Sequence, residues 1–111
     1  MNKGQRNHNP VNLRYMGQWE ATGKDDTGFA VFPDGPTGWR AAHNQIFRDQ
    51  GRGLTLKQFI FKFAPPVEND TNRYLQFVAG ELDKSEDDLL SAISPYALAG
   101  VMAKMEGYYN K

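Results

Sequence analysis

The most apolar segment of the chain lies near its C-terminal end. Across residues 96–105 the only polar side chain is Lys104, and the apolar ones extend most of the way around a helical wheel. A helix that is apolar on nearly all sides is buried rather than lying on a surface. Ser94 can cap this helix, Pro95 suits its first turn, and Gly107 suits the left-handed position just past its end. The pattern therefore predicts a buried helix near the end of the chain.

Apolar residues at helical spacing predict three more helices before this segment. The first covers residues 36–50 and is stopped by Gly51-Arg-Gly53, and the second covers residues 56–63, where Thr55 and Gln58 form a capping box. The third begins after a cap at Asn69 or Asp70 and has its apolar stripe on Tyr74, Leu75, Val78 and Leu82. Ser85, followed by three acidic residues, predicts a short helix in addition.

The first third of the chain has short apolar runs between turn residues. Residues 13–15, 17–19 and 28–32 predict strands of a small antiparallel sheet, and residues 21–27 predict a hairpin loop. Asn9 to Asn12 is typical of a turn. We therefore expect residues 1–111 to form one α+β domain, mostly helical, with a small sheet near the N-terminus.

Composition narrows the classes of function. Thirteen basic and thirteen acidic residues cancel, so no overall field favours nucleic acid or an anionic membrane. The absence of cysteine excludes disulfides, zinc–thiolate sites and cysteine nucleophiles. The polar N-terminal residues lead to no apolar run, which predicts synthesis in a cytoplasm without a signal peptide and no membrane insertion.

Motifs for several kinds of chemistry are missing from the sequence. His8 and His43 have no neighbouring residues at metal-ligand spacing, and there is neither a GxSxG nucleophile motif nor a glycine-rich phosphate loop with a lysine. We therefore expect no metal and no cofactor.

Glu106 falls on the last turn of the predicted buried helix. The negative end of the helix dipole and burial both disfavour an ionised carboxyl group, and both raise its pKa. A glutamic acid that stays protonated near neutral pH can act as the general acid in glycosidic bond cleavage. The alternative is a frayed C-terminus in which Glu106 faces water.

Three other polar features are candidates for a binding site. The segment from Asn9 to Arg14 could equally be a turn held by asparagine side chains. In the loop at residues 64–71 we expect Asp70 to cap a helix, so Glu68 and Asn69 remain available as groups of a binding pocket. Trp19 is a large amphipathic ring in the small sheet and serves either as core or as a platform for a sugar.

These residues together are similar to a phage and prophage family of virion-associated lysozyme-like or structural proteins. The resemblance covers almost the whole chain and is carried by Asn9-Pro-Val-Asn-Leu-Arg14, Trp19, Gly28-Phe-Ala-Val-Phe32, Gly38-Trp-Arg-Ala41, Phe63-Ala-Pro-Pro-Val-Glu-Asn-Asp-Thr71 with Tyr74, and the helix from Ala97 to Gly107. The segment at residues 63–71 is its most specific part. The family usually has glycine where this chain has Val11, tryptophan for Phe63 and serine for Val67. Its late helix usually ends Glu-Asn-Gly, whereas Glu106 is followed directly by Gly107 in this chain.

The chain also resembles soluble lytic transglycosylases and goose-type lysozymes, but with its parts in rotated order. Those enzymes place the catalytic glutamate at the end of a buried helix, followed by an asparagine-rich turn and a short sheet. Here Glu106 lies near the C-terminal end of the sequence and the turn at Asn9 lies near its N-terminal end. The resemblance implies a circularly permuted lysozyme-like domain whose termini meet at the active site.

The same resemblance implies a function and roles for residues. Glu106 would be the catalytic acid that cleaves the glycan strand of peptidoglycan, and the candidate substrate-binding residues are Asn9, Asn12, Arg14, Trp19, Glu68, Asn69 and Tyr74. A lysozyme route usually needs a second carboxylate. Asp25 and Asp26, with Glu20 behind them, are the candidates, and each could equally be a solvated loop residue. The lack of a stronger second acid favours a transglycosylase-like route.

The resemblance further implies delivery in a phage virion or release into the periplasm, with other virion proteins as partners. A non-catalytic virion protein that has a structural role or docks onto peptidoglycan is the main alternative. A nucleic-acid-binding internal protein is disfavoured by the zero net charge.

Overall fold

The computed structural model describes residues 1–110 and confirms a mostly helical α+β fold with a small antiparallel sheet. The elements in chain order are α1 (Lys3–Arg6), β1 (Gly23–Lys24), β2 (Ala30–Val31), α2 (Gly35–Gln50), α3 (Leu56–Phe63), α4 (Thr71–Leu82), a 3₁₀ turn (Leu90–Ala92) and α5 (Pro95–Met105). Within this range no helix is both long and apolar enough to cross a membrane.

Helix α5 is the centre of the core and packs against α2 and α4. Its middle residues from Leu98 to Ala103 are buried except for the partly exposed Gly100. Its first turn departs from the prediction of burial on nearly all sides, because Tyr96 lies at the surface. The predicted ends are confirmed, since the Ser94 side chain accepts a hydrogen bond from the Ala97 amide and Gly107 has a φ of +79°.

The starts of the other long helices follow local capping signals. The Asp34 side chain caps α2, Thr55 and Gln58 form the predicted capping box on α3, and Asp70 caps α4. The predicted short helix after Ser85 is wrong. Residues 85–88 form a turn in which the Ser85 amide donates to the Asp88 carboxylate at 2.9 Å, so the acidic residues close a turn instead.

The sheet is smaller than the sequence predicts. Its two strands pair Gly23 with Val31 and Lys24 with Ala30. Residues 13–15 contribute only the isolated bridge between Arg14 and Phe29. The strand predicted at residues 17–19 is wrong, because these residues pair with no strand and the Ala21 amide donates to the Gln18 carbonyl in a turn.

Helix α1 was not predicted and holds the two ends of the chain together. Asn2 and Gln5 form its capping box. The Asn2 side-chain amide also donates to the carbonyls of Gly107 at 2.8 Å and Asn110 at 2.7 Å, and the Gln5 amide donates to the carbonyl of Tyr108 at 2.8 Å. The N-terminal segment therefore lies directly against the end of α5.

The N-terminal segment also packs closely on the start of α2. A Cβ atom on Gly38 would lie 1.8 Å from the backbone oxygen of His8, so only glycine allows this approach. This contact places the turn that follows His8 against the body of the domain.

Candidate functional site

A cleft of about 240 Å³ lies where the N-terminal segment, the hairpin, the α3–α4 connection and the end of α5 meet. Its lining is mainly polar and comprises Lys3, Asn12, Arg14, Phe29, Phe63, Ala64, Glu68, Asn69 and Glu106. Five of the residues predicted for the site are in this set, although they are far apart in the sequence. They are Asn12, Arg14, Glu68, Asn69 and Glu106.

Glu106 is the C-cap of α5 and forms part of the wall of the cleft. Its Oε1 accepts a hydrogen bond of 3.1 Å from the side-chain amide of Asn12. Burial raises the pKa of Glu106, and it outweighs the opposing effects of Asn12, of Tyr74 and of the Lys3 ammonium group. A carboxyl group in this environment retains its proton to a higher pH than a solvated glutamic acid.

Asn12 reaches Glu106 because the side chain of Asn9 fixes the turn at residues 9–12. The Asn9 side-chain amide donates to the carbonyls of Leu13 and Ala30, each at 3.0 Å, and its oxygen accepts from the Leu13 amide at 2.9 Å. Asn12 has a φ of +53°, the left-handed conformation that asparagine tolerates better than most residues. The turn predicted at residues 9–12 therefore serves to aim one amide at the carboxyl group.

Tyr74 lies buried on α4 beside Glu106, and its ring contacts Phe63. Burial, together with the nearby Glu106 carboxylate, raises the pKa of the Tyr74 phenol well above its usual value. No residue among 1–110 meets strict hydrogen-bond geometry with the hydroxyl, but the hydroxyl lies close enough to Glu106 to lower the pKa of that carboxyl group. Tyr74 is therefore placed to act on the carboxyl group rather than on a ligand in the cleft.

Unsatisfied polar atoms concentrate around this carboxyl group. Among residues 1–110, three buried side-chain atoms lack a hydrogen-bond partner, and two of them, Asn12 Oδ1 and Tyr74 Oη, belong to the neighbours of Glu106. Unsatisfied buried groups are costly and rare in folded proteins. Together with the left-handed backbone of Asn12, they make the surroundings of Glu106 the candidate functional site.

The rim of the cleft carries charge of both signs. Arg14 Nη2 lies 2.6 Å from Glu68 Oε2, and both side chains are about half exposed, so the pair contributes little to stability. Asn69 donates to the Pro65 carbonyl at 3.1 Å, which stiffens the loop that carries Glu68. These side chains can orient a polar ligand that enters the cleft.

Lys3 and Phe29 also line the cleft, although nothing in the sequence marks them as site residues. The Lys3 ammonium group lies 3.5 Å from the centre of the Phe29 ring, and the Arg14 guanidinium lies 4.3 Å from it. Cation–π attraction therefore holds two positive charges at the cleft. A lysine in the polar N-terminal segment gave no signal of this arrangement, because the contact depends on the termini meeting.

Besides Tyr74, four of the residues predicted for the site do not line the cleft. Asn9 is fully buried, and its side chain is used within the fold, so it cannot touch a ligand. Trp19 is 75% exposed and lines a separate cavity. Asp25 and Asp26 are in the hairpin loop, away from Glu106, and do not provide the second carboxylate of this cleft.

Asp25 instead organises the hairpin. Desolvation raises its pKa, but hydrogen bonds from Asn7, from the Phe29 amide and from Thr27 outweigh this effect and hold the pKa well below its usual range. Glu68 is the other carboxylate in the lining of the cleft that contains Glu106.

Replacing Tyr74 with phenylalanine is expected to shift the pH dependence of any reaction that needs protonated Glu106. Tyr74 lowers the pKa of Glu106, so its loss raises that pKa further and moves the alkaline limb of the activity profile to higher pH. The variant should fold normally, because the lost hydroxyl has no partner among the described residues. A profile identical to that of the parent protein, with an unchanged melting temperature, would show that Tyr74 does not influence the carboxyl group.

Residues 1–110 contain no group of three or more histidine, aspartate or glutamate side chains arranged to hold a metal ion. No protein-family model matches the chain, and no curated protein is significantly similar to it in sequence.

Proposed function

We propose that this protein cleaves the glycan strand of peptidoglycan, with Glu106 as the general acid. The observation that carries the proposal is a carboxyl group of raised pKa in the wall of a polar cleft, held by Asn12 and next to Tyr74. A protonated glutamic acid is the group that the leaving oxygen of a glycosidic bond requires. The mixed polar and charged lining suits a ligand rich in hydroxyl and amide groups.

In the proposed reaction Glu106 donates its proton to the glycosidic oxygen as the bond to the anomeric carbon breaks. The hydrogen bond from Asn12 then stabilises the carboxylate that remains. This carboxylate next accepts a proton, either from an attacking water or from a hydroxyl of the same sugar, which closes an anhydro ring. The first route is hydrolysis and the second is a lytic transglycosylation.

Glu68 is the candidate for assisting the hydrolytic route. It shares the cleft with Glu106 and forms an ion pair with Arg14. A carboxylate that is already engaged by a guanidinium is a weaker base or nucleophile than a free one, which favours the single-glutamate route. Arg14 and Asn69 would then orient the sugar ring.

The biological setting that we propose is a bacteriophage protein that acts on the host wall from a virion or after delivery to the periplasm. The resemblance to virion-associated lysozyme-like proteins supports this setting. The contact between the two termini beside Glu106 supports a circularly permuted relationship to lytic transglycosylases.

Mass spectrometry of digested peptidoglycan tests the proposed function. Purified sacculi are incubated with the protein, and the masses of the soluble fragments are measured. Anhydro-sugar ends identify transglycosylation, reducing ends identify hydrolysis, and cleaved peptides with intact glycan would contradict the proposal. Binding to sacculi without any released fragment would favour the non-catalytic docking protein instead.

A further inference from the structure

A second cavity, of about 400 Å³, is larger than the cleft and shares no lining residue with it. A smaller cavity of about 130 Å³ connects the two, since it shares Asn12, Arg14 and Phe63 with the cleft and Met16, Gln45 and Lys62 with the larger cavity. The three cavities therefore adjoin one another, and we call them together the groove. We call its far end, lined by Trp19, Glu20, Arg48, Arg52 and Lys62, the distal cavity.

Positive charge exceeds negative charge in the distal cavity. Arg52 and Lys62 share the buried carboxylate of Asp49, which cannot neutralise both of them. Arg48 donates to the neutral Gln45 side chain at 2.9 Å and forms no ion pair among residues 1–110. At least one cation is therefore free to bind an anion, and guanidinium groups match carboxylates well.

Glu20 gives the same cavity an unsatisfied acceptor. It is only 5% exposed, its Oε2 accepts from Asn44 at 3.0 Å, and its Oε1 has no partner among the described residues. A buried carboxyl group close to three cations would be expected to pair with one of them, yet it does not. The carboxylate adds a negative charge behind the wall of the cavity, which would favour an N–H or ammonium group of a ligand on that side.

Trp19 completes this arrangement. Its large ring is 75% exposed, although a tryptophan normally buries most of its surface. An exposed ring beside arginines provides a flat apolar surface for a ligand. A ligand that fits all three features carries a carboxylate, an amine or amide nitrogen and an apolar part, which are the features of a short acidic peptide.

We propose that the distal cavity binds the acidic peptide branch of the wall polymer whose glycan strand lies in the cleft. This inference rests on the proposed function. The groove would then recognise glycan at Glu106 and peptide at Trp19 and Arg48, so the preferred substrate is glycan that still carries its peptides.

Fluorescence titration tests the inference without any need for catalysis. The chain has two tryptophans, so a Trp39→Phe variant leaves Trp19 as the single reporter. The probe is the free stem peptide released from peptidoglycan by an amidase, compared with the same peptide after its carboxylates are amidated. We expect saturable binding of the free peptide and at least about tenfold weaker binding of the blocked one, the change expected for one charge-assisted hydrogen bond.

Charge reversal of one arginine locates the binding. In the Trp39→Phe background, Arg48→Glu should weaken binding of the free peptide, again by about tenfold or more. The matched control is Arg40→Glu, an exposed arginine on the same helix that does not line the groove, and it should leave binding unchanged. No peptide binding, equal effects of both substitutions, or tighter binding of a short phosphodiester oligomer than of the peptide would overturn the inference.

Activity data separate this inference from the proposed function. Suppose that the wild-type protein cleaves glycan with and without peptides equally well, and that Arg48→Glu leaves the KM for both substrates unchanged. The distal cavity is then not a peptide site, but the glycosidase proposal stands. If the protein binds the peptide and cleaves no glycan, the proposed function fails while the peptide site remains.

Discussion

Glycan cleavage should fall by about 10² to 10⁴-fold when Glu106 is replaced by glutamine, the range over which general acid catalysis contributes to rates. Glutamine has almost the same shape, and its amide oxygen can still accept the hydrogen bond from Asn12. It cannot donate a proton to a leaving oxygen. Release of soluble fragments from sacculi, followed over time, measures this loss.

The same substitution should stabilise the protein at neutral and alkaline pH. The folded-state pKa of Glu106 lies above its ordinary value of 4.5, so the folded protein holds this proton more tightly than the unfolded chain. The stability of the wild type therefore decreases as the pH rises from 4.5 through that raised pKa. Glutamine does not ionise, so the difference in melting temperature between variant and wild type should grow in favour of the variant over this window.

Glu81→Gln is the matched control for both measurements. Glu81 is a surface carboxylate that pairs with Lys104 at 3.1 Å and lies outside the groove. It should leave cleavage and its pH profile unchanged. Full activity of Glu106→Gln, or a melting temperature that falls relative to the wild type as the pH rises, would refute the role of Glu106 as a buried acid.

Gly38→Ala should destabilise the protein strongly and disturb the cleft. The added methyl group would overlap the carbonyl oxygen of His8. A flexible side chain could move away from such a clash, but this oxygen belongs to the backbone and cannot move without displacing the chain. Overpacking of this kind typically costs about 1–3 kcal/mol, and more where the backbone must move. Because the displaced segment leads into the turn of Asn9 and Asn12, activity should fall beyond what unfolding explains. Chemical denaturation and fragment release together measure both effects.

Gly80→Ala provides the comparison. Gly80 is exposed on α4, and a Cβ atom there meets nothing within 4 Å. Alanine should stabilise this helix by about 0.5–1 kcal/mol because glycine is a poor helix former. Equal unfolding free energies for the two alanine variants would show that the contact between Gly38 and His8 is not as close as described.

The helices could be predicted because their signals are local. The residues that cap a helix and those that form its apolar stripe lie within a few positions of one another, as in the capping box of Thr55 and Gln58 on α3. Helix α1 was missed because a helix of four residues has no apolar stripe, although its own box of Asn2 and Gln5 was readable. The strand predicted at residues 17–19 failed because a bulky aromatic residue raised its apparent strand propensity, yet Trp19 is exposed.

The candidate site was predictable only in part. The pairing of Asn12 with Glu106 spans 94 positions, and that of Arg14 with Glu68 spans 54, so no local pattern contains either contact. The sequence marks Glu106 and the polar segments around Arg14 and Glu68 as candidates, and the resemblance supplies their roles; only the structure brings them into one cleft. The distal cavity was not foreseen, because Glu20 and Arg48 lie on different segments and their relation depends on tertiary packing.

The hydrogen bonds from Asn2 to the carbonyls of Gly107 and Asn110 have a practical consequence for anyone who produces this protein. A purification tag or fusion partner at either end begins within a few residues of the cleft, so it can shield Glu106 from an insoluble polymer. A tagged preparation that fails to digest sacculi should therefore be assayed again after proteolytic removal of the tag.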